Sequence, residues 1–138
     1  VFVERTSLLR QVYSKVFPHA TIVKTNAKYA ETVKYFINCF LGTKVSFANE
    51  MKMLCDEIDI DYDKVVEYAT YDERLGKSHW AVPGPDGELG FGGHCLPKDI
   101  SAIVNGYDDM KLLQAVLKVN DKVRKNRDWE DMKGRAVI

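Results

Sequence analysis

Apolar positions along the chain recur mostly at helical spacing, and strand-like stretches are confined to short pieces near the two ends. Val1-Phe2-Val3 has the composition of a strand tail, and a helical pattern follows from about Glu4 to Phe17, with Leu8, Leu9, Val12, Tyr13 and Val16 on one side. Pro18 stops that helix, since its ring removes a backbone donor and clashes with the preceding turn. "ATIVKT", residues 20–25, reads as a second short strand. Asn26 then predicts the N-cap of a long helix reaching to about Glu57. At ~1.5 Å per residue such a rod spans roughly 46 Å, more than the width of a small domain. Its apolar residues, among them Val33, Phe36, Phe40, Val45, Phe47 and Met51, pass most of the way round it. A helix apolar on most sides has to be covered on most sides. A chain this small is expected to wrap one face and leave the other to a second subunit.

Residues 60–72, "IDYDKVVEYATYD", read as a shorter helix capped by Asp61. From Glu73 to Leu96 the chain carries Pro83, Gly84, Pro85, Gly87, Gly90, Gly92 and Gly93, which predicts a long loop. Connections of that length are usually functional or disordered. Helix resumes near Pro97 to about Asn105, and again from Asp108 to about Lys125. "WEDMKGRAVI", residues 129–138, passes from a charged loop into a strand opening at Arg135. The fold class expected is therefore mainly α, a helical domain built on one long spine helix, with short strand stubs at both ends. The stubs read either as pieces of neighbouring domains or as frayed terminal strands.

Composition narrows the function classes. The chain has 138 residues, enough for one ordinary domain, with 46% apolar and 29% charged residues. Lys plus Arg and Asp plus Glu balance at 20 each, which removes any global electrostatic case for nucleic acid. No apolar run approaches the ~20 residues of a membrane span. The three cysteines, Cys39, Cys55 and Cys95, are odd in number and show no C-x2-C pair, unlike a disulfide scaffold or a zinc site. A reducing, cytoplasmic setting is expected, with no metal.

The candidate chemistry lies in "GFGGHCLPKD", residues 90–99. Pro97 suits a first helical position and Asp99 the third, which puts Cys95 just ahead of a helix N-terminus and beside the amides of Gly92 and Gly93. That setting favours thiolate, but the residues alone leave a nucleophile and a structural cysteine both open. Lys34 and Asn38, four apart on the long helix, project from one side of it. They are either costly groups kept for a purpose or part of a solvated strip.

Taken together, "AETVKYFINCFLGTKVSFANE" (30–50), the arginine turn "YDERLG" (71–76), "GFGGHCLPKD" (90–99) and "VLKVN" (116–120) closely resemble the UDP-glucose/GDP-mannose dehydrogenase family, from about Glu4 to Ile138. The resemblance implies three domains in the whole enzyme: an N-terminal Rossmann domain for NAD, a helical central domain that forms the dimer, and a C-terminal Rossmann-like domain for the nucleotide sugar. This chain would then hold the end of the first (1–25), the central domain (26–128) and the start of the third (129–138). It has no Gly-x-Gly-x-x-Gly after a strand, so it is not expected to bind NAD or turn over alone. By the same resemblance Cys95 is the nucleophile that captures an aldehyde, while Lys34 stabilises oxyanion charge. Asn38 helps to hold that oxygen or a water, and Asp99 assists the water and proton transfers. Gly92, Trp80, Arg74 and Lys98 match substrate-binding positions, although the spacing from Trp80 to Gly90 departs from the family. UDP-glucose is favoured over GDP-mannose, and a non-catalytic dimerisation module remains a third reading. His94, next to Cys95, and His79 are given no catalytic or metal role, and Cys39 and Cys55 read as packing residues.

Overall fold

A computed structural model of the chain describes residues 2–3 and 7–130. It is mainly helical, as the pattern predicted, and resolves into two compact units, 1–37 and 38–138, each described here by itself. In the first, strand β1 (Phe2–Val3) pairs in parallel with β2 (Val23–Lys24) across helix α1 (Ser7–Val16), with Phe2 opposite Val23 and Val3 opposite Lys24. The strand expected over residues 20–25 shrinks to two residues, because only those two find a partner in β1. Phe17 N–H donates to Tyr13 O at 2.8 Å and closes the last turn of α1 just before Pro18. The expected start of α1 at Glu4 lies outside the described residues. The apolar side of α1 is uncovered, with Leu8 67% exposed, since a sheet of two-residue strands offers little surface to bury it.

Helix α2 (Ala27–Glu57) has 31 residues, and Asn26 caps it by accepting the Tyr29 N–H at 3.1 Å. Phe36 is 74% exposed in the first unit, and Phe40 and Phe47 are exposed in the second. The side that this chain covers is made of Cys39, Gly42, Lys44, Ser46, Ala48, Asn49 and Cys55. Small and polar residues thus face inward, and the large aromatics face out. Gly42 is required there, because a Cβ would run into the Ile100 side chain.

Helix α3 (Tyr62–Ala69) is shorter than the 60–72 expected. Asp61 caps it through bonds from Asp63 N–H (2.9 Å) and Lys64 N–H (3.4 Å), which places Ile60 outside. A 3-10 turn over Glu73–Leu75 follows, capped by Asp72. Helix α4 (Cys95–Gly106) packs on α5 (Lys111–Val123). Here the expectation needs correcting: α4 starts at Cys95, so Pro97 is its third residue and Asp99 its fifth. First-turn amides have no intrahelical partner, so proline is tolerated throughout that turn and does not mark its first residue. Helix α5 begins three residues later than expected, after a turn in which Lys111 N–H bonds Asp109 O at 3.0 Å. The strand opening expected at Arg135–Ile138 lies outside the described residues.

Two apolar clusters hold the second unit. One joins Cys39, Phe91, Ile100 and Val116, and so ties α2, the glycine loop, α4 and α5 together. The other joins Ala48, Cys55, Tyr62 and Val82, with Trp80 packed against it. Cys39 and Cys55 are buried packing residues, as read from the sequence.

Candidate active site

The glycine loop gets its shape from glycine and its fixity from three side chains on other segments. Gly90 adopts φ +71°, a conformation open to few other residues. Its N–H donates to Asn49 Oδ1 on α2 at 3.1 Å. One residue on, Phe91 N–H donates to Asn120 Oδ1 at 2.7 Å, and Asn120 Nδ2 donates back to Phe91 O at 3.0 Å. Gly93 N–H donates to Asp128 Oδ2 at 2.9 Å. The chain supplies its own carboxylate there.

The loop delivers Cys95, exposed and unbridged, as the first residue of α4. Asp99 lies one turn further along the same helix and therefore on the same side of it. Its carboxylate is fully buried and accepts from Asn38 Nδ2 at 2.5 Å on one oxygen, while the other pairs with Lys98 Nζ. Asn38, Asp99 and Lys98 are thus brought into contact across α2 and α4. Bonds to both oxygens offset part of the cost of burying this carboxylate. Its negative charge also reaches Cys39, whose thiol is pushed up first by burial and then by Asp99. Lys34 belongs to the first unit, where it is an exposed residue of α2 one turn before Asn38.

The remaining expected residues are spread more widely. Trp80 sits with the second cluster: its indole N–H donates to Gly76 O at 2.8 Å, and its ring lies edge-on to Phe47. Lys44 Nζ lies 4.4 Å from that ring centroid and donates to Leu75 O at 2.9 Å, so one buried cation straps the arginine turn to α2. Burial lowers the pKa of this lysine. Arg74 points into solvent, held along one edge by Asp72 through bonds of 2.9 Å from Nε and 2.5 Å from Nη2. The guanidinium keeps the Asp72 carboxyl below its usual range, and its other edge stays turned away from Asp72. His94 is exposed at the N-cap of α4 without a side-chain cap bond. Among the described residues no group of three or more His, Cys, Asp or Glu is placed to hold a metal ion.

Gly92 rests against Arg124, where a Cβ would strike the guanidinium and Asp128. Arg124 Nη2 donates to Asp86 Oδ2 at 2.7 Å and to Asp128 Oδ1 at 3.4 Å. The first of these bonds holds the Asp86 carboxyl below its ordinary value. Together with Gly92, Gly93, His79 and Leu96, these two aspartates line a cleft of about 570 Å³ beside the loop.

Comparison with known proteins settles the lineage. The model of the UDP-glucose/GDP-mannose dehydrogenase family, central domain, matches residues 28–122. The chain belongs to that family. It is 38% identical over 111 residues to UDP-glucose 6-dehydrogenase TuaD of Bacillus subtilis, covering 77% of this chain and 23% of that protein. With UDP-glucose 6-dehydrogenase of Rickettsia bellii it shares 37% over 147 aligned positions, covering 97% of this chain and 32% of that protein. A solved UDP-glucose dehydrogenase from the archaeon Pyrobaculum islandicum superposes with a TM-score of 0.74 at 36% identity, over 84% of this chain and 26% of that one. The chain thus spans 23% to 32% of the length of these family members. Among the described residues no helix is long and apolar enough to cross a membrane.

Five residues of this site were not singled out from the sequence: Asn49, Asn120, Asp86, Arg124 and Asp128. The first two carried a usable signal. A buried asparagine on an apolar helix face costs free energy unless bonded, which is the argument that drew attention to Asn38. Arg124 and Asp128 lie in "RKNRDWED", where a charge-rich stretch looks solvated and gives no such sign.

Proposed function

We propose that this chain is the central catalytic and dimerisation segment of an NAD-dependent UDP-glucose 6-dehydrogenase, working in the cytoplasm and oxidising UDP-glucose to UDP-glucuronate in two steps. One observation carries the reading: an exposed cysteine at a helix N-terminus, one turn before a buried aspartate that is bonded to an asparagine of the long helix. The family membership and the named relatives support it. Residues 1–25 and 129–138 are proposed as the edges of the neighbouring domains, and the parallel β1–α1–β2 arrangement is the kind a Rossmann domain uses.

NAD accepts hydride in such enzymes, and the described residues do not fit it. The glycine-loop amides at Gly90, Phe91 and Gly93 are already bonded to Asn49, Asn120 and Asp128, and no strand runs into that loop. Neither oxidation is therefore assigned to this chain. What it supplies is covalent capture and release. The Cys95 thiolate adds to the C6 aldehyde, forming a C–S bond while the carbonyl oxygen takes the negative charge and then a proton. Lys34 offers that oxygen a cationic partner, and Asn38 offers it an amide donor. In the joined enzyme, NAD held by the neighbouring domain would take the hydride from C6, and with loss of the hydroxyl proton a thioester would remain. Water attacks its carbonyl carbon with Asp99 assisting the proton transfer, the C–S bond breaks, and the thiolate returns. Capture keeps the aldehyde from escaping between the two oxidations. Gly92, Lys98, Arg74 and Trp80 are the proposed contacts to the nucleotide sugar. The exposed aromatics of α2 are the proposed homodimer face.

The test is NADH formation with UDP-glucose, and in parallel with GDP-mannose, by this chain and by the chain joined to its NAD- and sugar-binding domains. We expect turnover only in the joined enzyme, and loss of the second oxidation in Cys95→Ser. Activity of the isolated chain, or full two-step turnover by the serine variant, would refute the assignment. Preference for GDP-mannose would move the substrate, and a joined enzyme inactive on both sugars would favour a non-catalytic dimerisation module.

A further inference from the structure

From the geometry behind the glycine loop we infer that Arg124 and Asp128 are positioning residues for Cys95, forming a charge clamp that fixes the Gly92–Gly93 turn. The inference rests on Cys95 being the nucleophile, as proposed above. Three contacts converge on that turn. Asp128 Oδ2 accepts the Gly93 N–H at 2.9 Å, two residues before Cys95. Asp128 Oδ1 is held in turn by Arg124 Nη2 at 3.4 Å. The guanidinium lies directly against Gly92, where no side chain could fit. The same Nη2 reaches Asp86 at 2.7 Å, so one cation ties two parts of the long loop, at Asp86 and at Gly92, to the segment that follows α5. Arg124 is itself fastened by Nε to Asn126 O at 2.8 Å, and its side chain is 1% exposed.

Stability alone does not account for this cluster. Arg124 Nη1 is buried with no hydrogen-bond partner among the described residues, and an unsatisfied buried donor costs free energy. A core chosen for packing would replace the arginine with an apolar residue. What the arginine does accomplish is to hold one carboxylate against a single loop amide, at the point where the backbone turns toward Cys95. Gly93 has φ +70° and open space around its Cα, so without that bond its backbone has several conformations to choose from. A misplacement of about 1 Å at a reacting group can cost on the order of a hundredfold in rate.

The experiment compares Asp128→Ala with Asp128→Asn in the joined enzyme, with UDP-glucose as substrate and Cys95→Ser alongside. Asp128 is half-buried at the edge of the fold, so these variants should fold. Protection of Cys39 and Cys55 from alkylation reports that they have, since both are buried. The alanine variant should lose about tenfold or more in kcat, with KM for UDP-glucose within about twofold. The asparagine variant, whose one oxygen can still accept the Gly93 N–H while its NH2 replaces the acceptor that faces Arg124, should fall between the alanine variant and the parent. Arg124→Lys is a second arm and should resemble the alanine variant, because an ammonium lacks the Nε–H that anchors the guanidinium to Asn126 O and so does not keep the place of Nη2 between the two carboxylates. An unchanged kcat in Asp128→Ala, a change confined to KM, or an asparagine variant no better than alanine would overturn the clamp. Full turnover by Cys95→Ser would instead defeat the nucleophile reading on which it rests.

Discussion

Replacing Asn120 tests how the loop is held. The side chain is 2% exposed and makes two bonds to one residue, accepting from Phe91 N–H at 2.7 Å and donating to Phe91 O at 3.0 Å. Phe91 is buried as well, so no water replaces either bond. Asn120→Ala leaves a buried donor and a buried acceptor unpaired, each at about 1–3 kcal/mol. The expected loss is then about 2–6 kcal/mol, a large share of the ~5–15 kcal/mol typical of a domain. Asn120→Asp separates hydrogen bonding from shape. The introduced carboxylate still accepts from Phe91 N–H, but it loses the donor and faces the Phe91 carbonyl with a buried charge. Burial raises the pKa of such a carboxyl above its unfolded value. The penalty should therefore be full at neutral pH and shrink as pH falls toward 5, where the protonated group can donate to Phe91 O. Urea unfolding followed by circular dichroism at pH 7 and pH 5, each variant against the parent, measures both effects. An alanine variant within about 0.5 kcal/mol of the parent, or an aspartate variant whose deficit ignores pH, would refute the reasoning.

Iodoacetamide near neutral pH should label Cys95 before Cys39 and Cys55. Cys95 alone is exposed, and burial and Asp99 disfavour the Cys39 thiolate, so equal labelling in the folded chain would contradict the site. Burial, with Asp63 and Cys55 adding to it, pushes the Tyr62 phenol up to about 12. From about pH 10 the unfolded chain ionises while the folded one stays neutral, so the parent should lose up to ~2–3 kcal/mol between pH 10 and 12 that Tyr62→Phe does not lose. Parallel alkaline unfolding curves for the two would rule this out. Sedimentation equilibrium should show a dimer that Phe40→Glu weakens, and a well-folded monomer at high micromolar concentration would count against the α2 interface.

The helices were legible because their signals are local. Asn26, Asp61 and Pro18 punctuate the chain where the structure shows caps and a stop. The start of α4 misled, because a first-turn proline marks a turn and not a residue. The partners of the loop were the least legible part. Asn49 and Asn120 lie 41 and 29 residues from the backbone groups that they bond, and nothing near Gly90 in sequence announces them. The inward face of α2 escaped for a related reason. Apolar residues passing most of the way round α2 did not say which side this chain covers; it buries Gly42, Ser46 and Asn49, since close approach of α4 and the loop leaves room only for small or bonding groups.

That inward face also explains how a glycine-rich loop can serve chemistry that depends on position. Glycines at 90, 92 and 93 let the backbone turn tightly beside α2 and α5, but they also give it the most conformational freedom to lose. Ordering such a loop costs on the order of 1–2 kcal/mol per residue, and apolar packing cannot recover that cost where there are no side chains to pack. Directional bonds are the remaining means, and two asparagines on flanking helices and one aspartate beyond α5 provide them. Ser46, whose hydroxyl donates to Val116 O at 3.1 Å, pins α5 to α2 so that the two asparagines keep a fixed spacing. The rigidity around Cys95 therefore belongs to the helices and not to the loop. Substitutions in α5, a helix that contributes none of the proposed reacting groups, should be felt first at the cysteine.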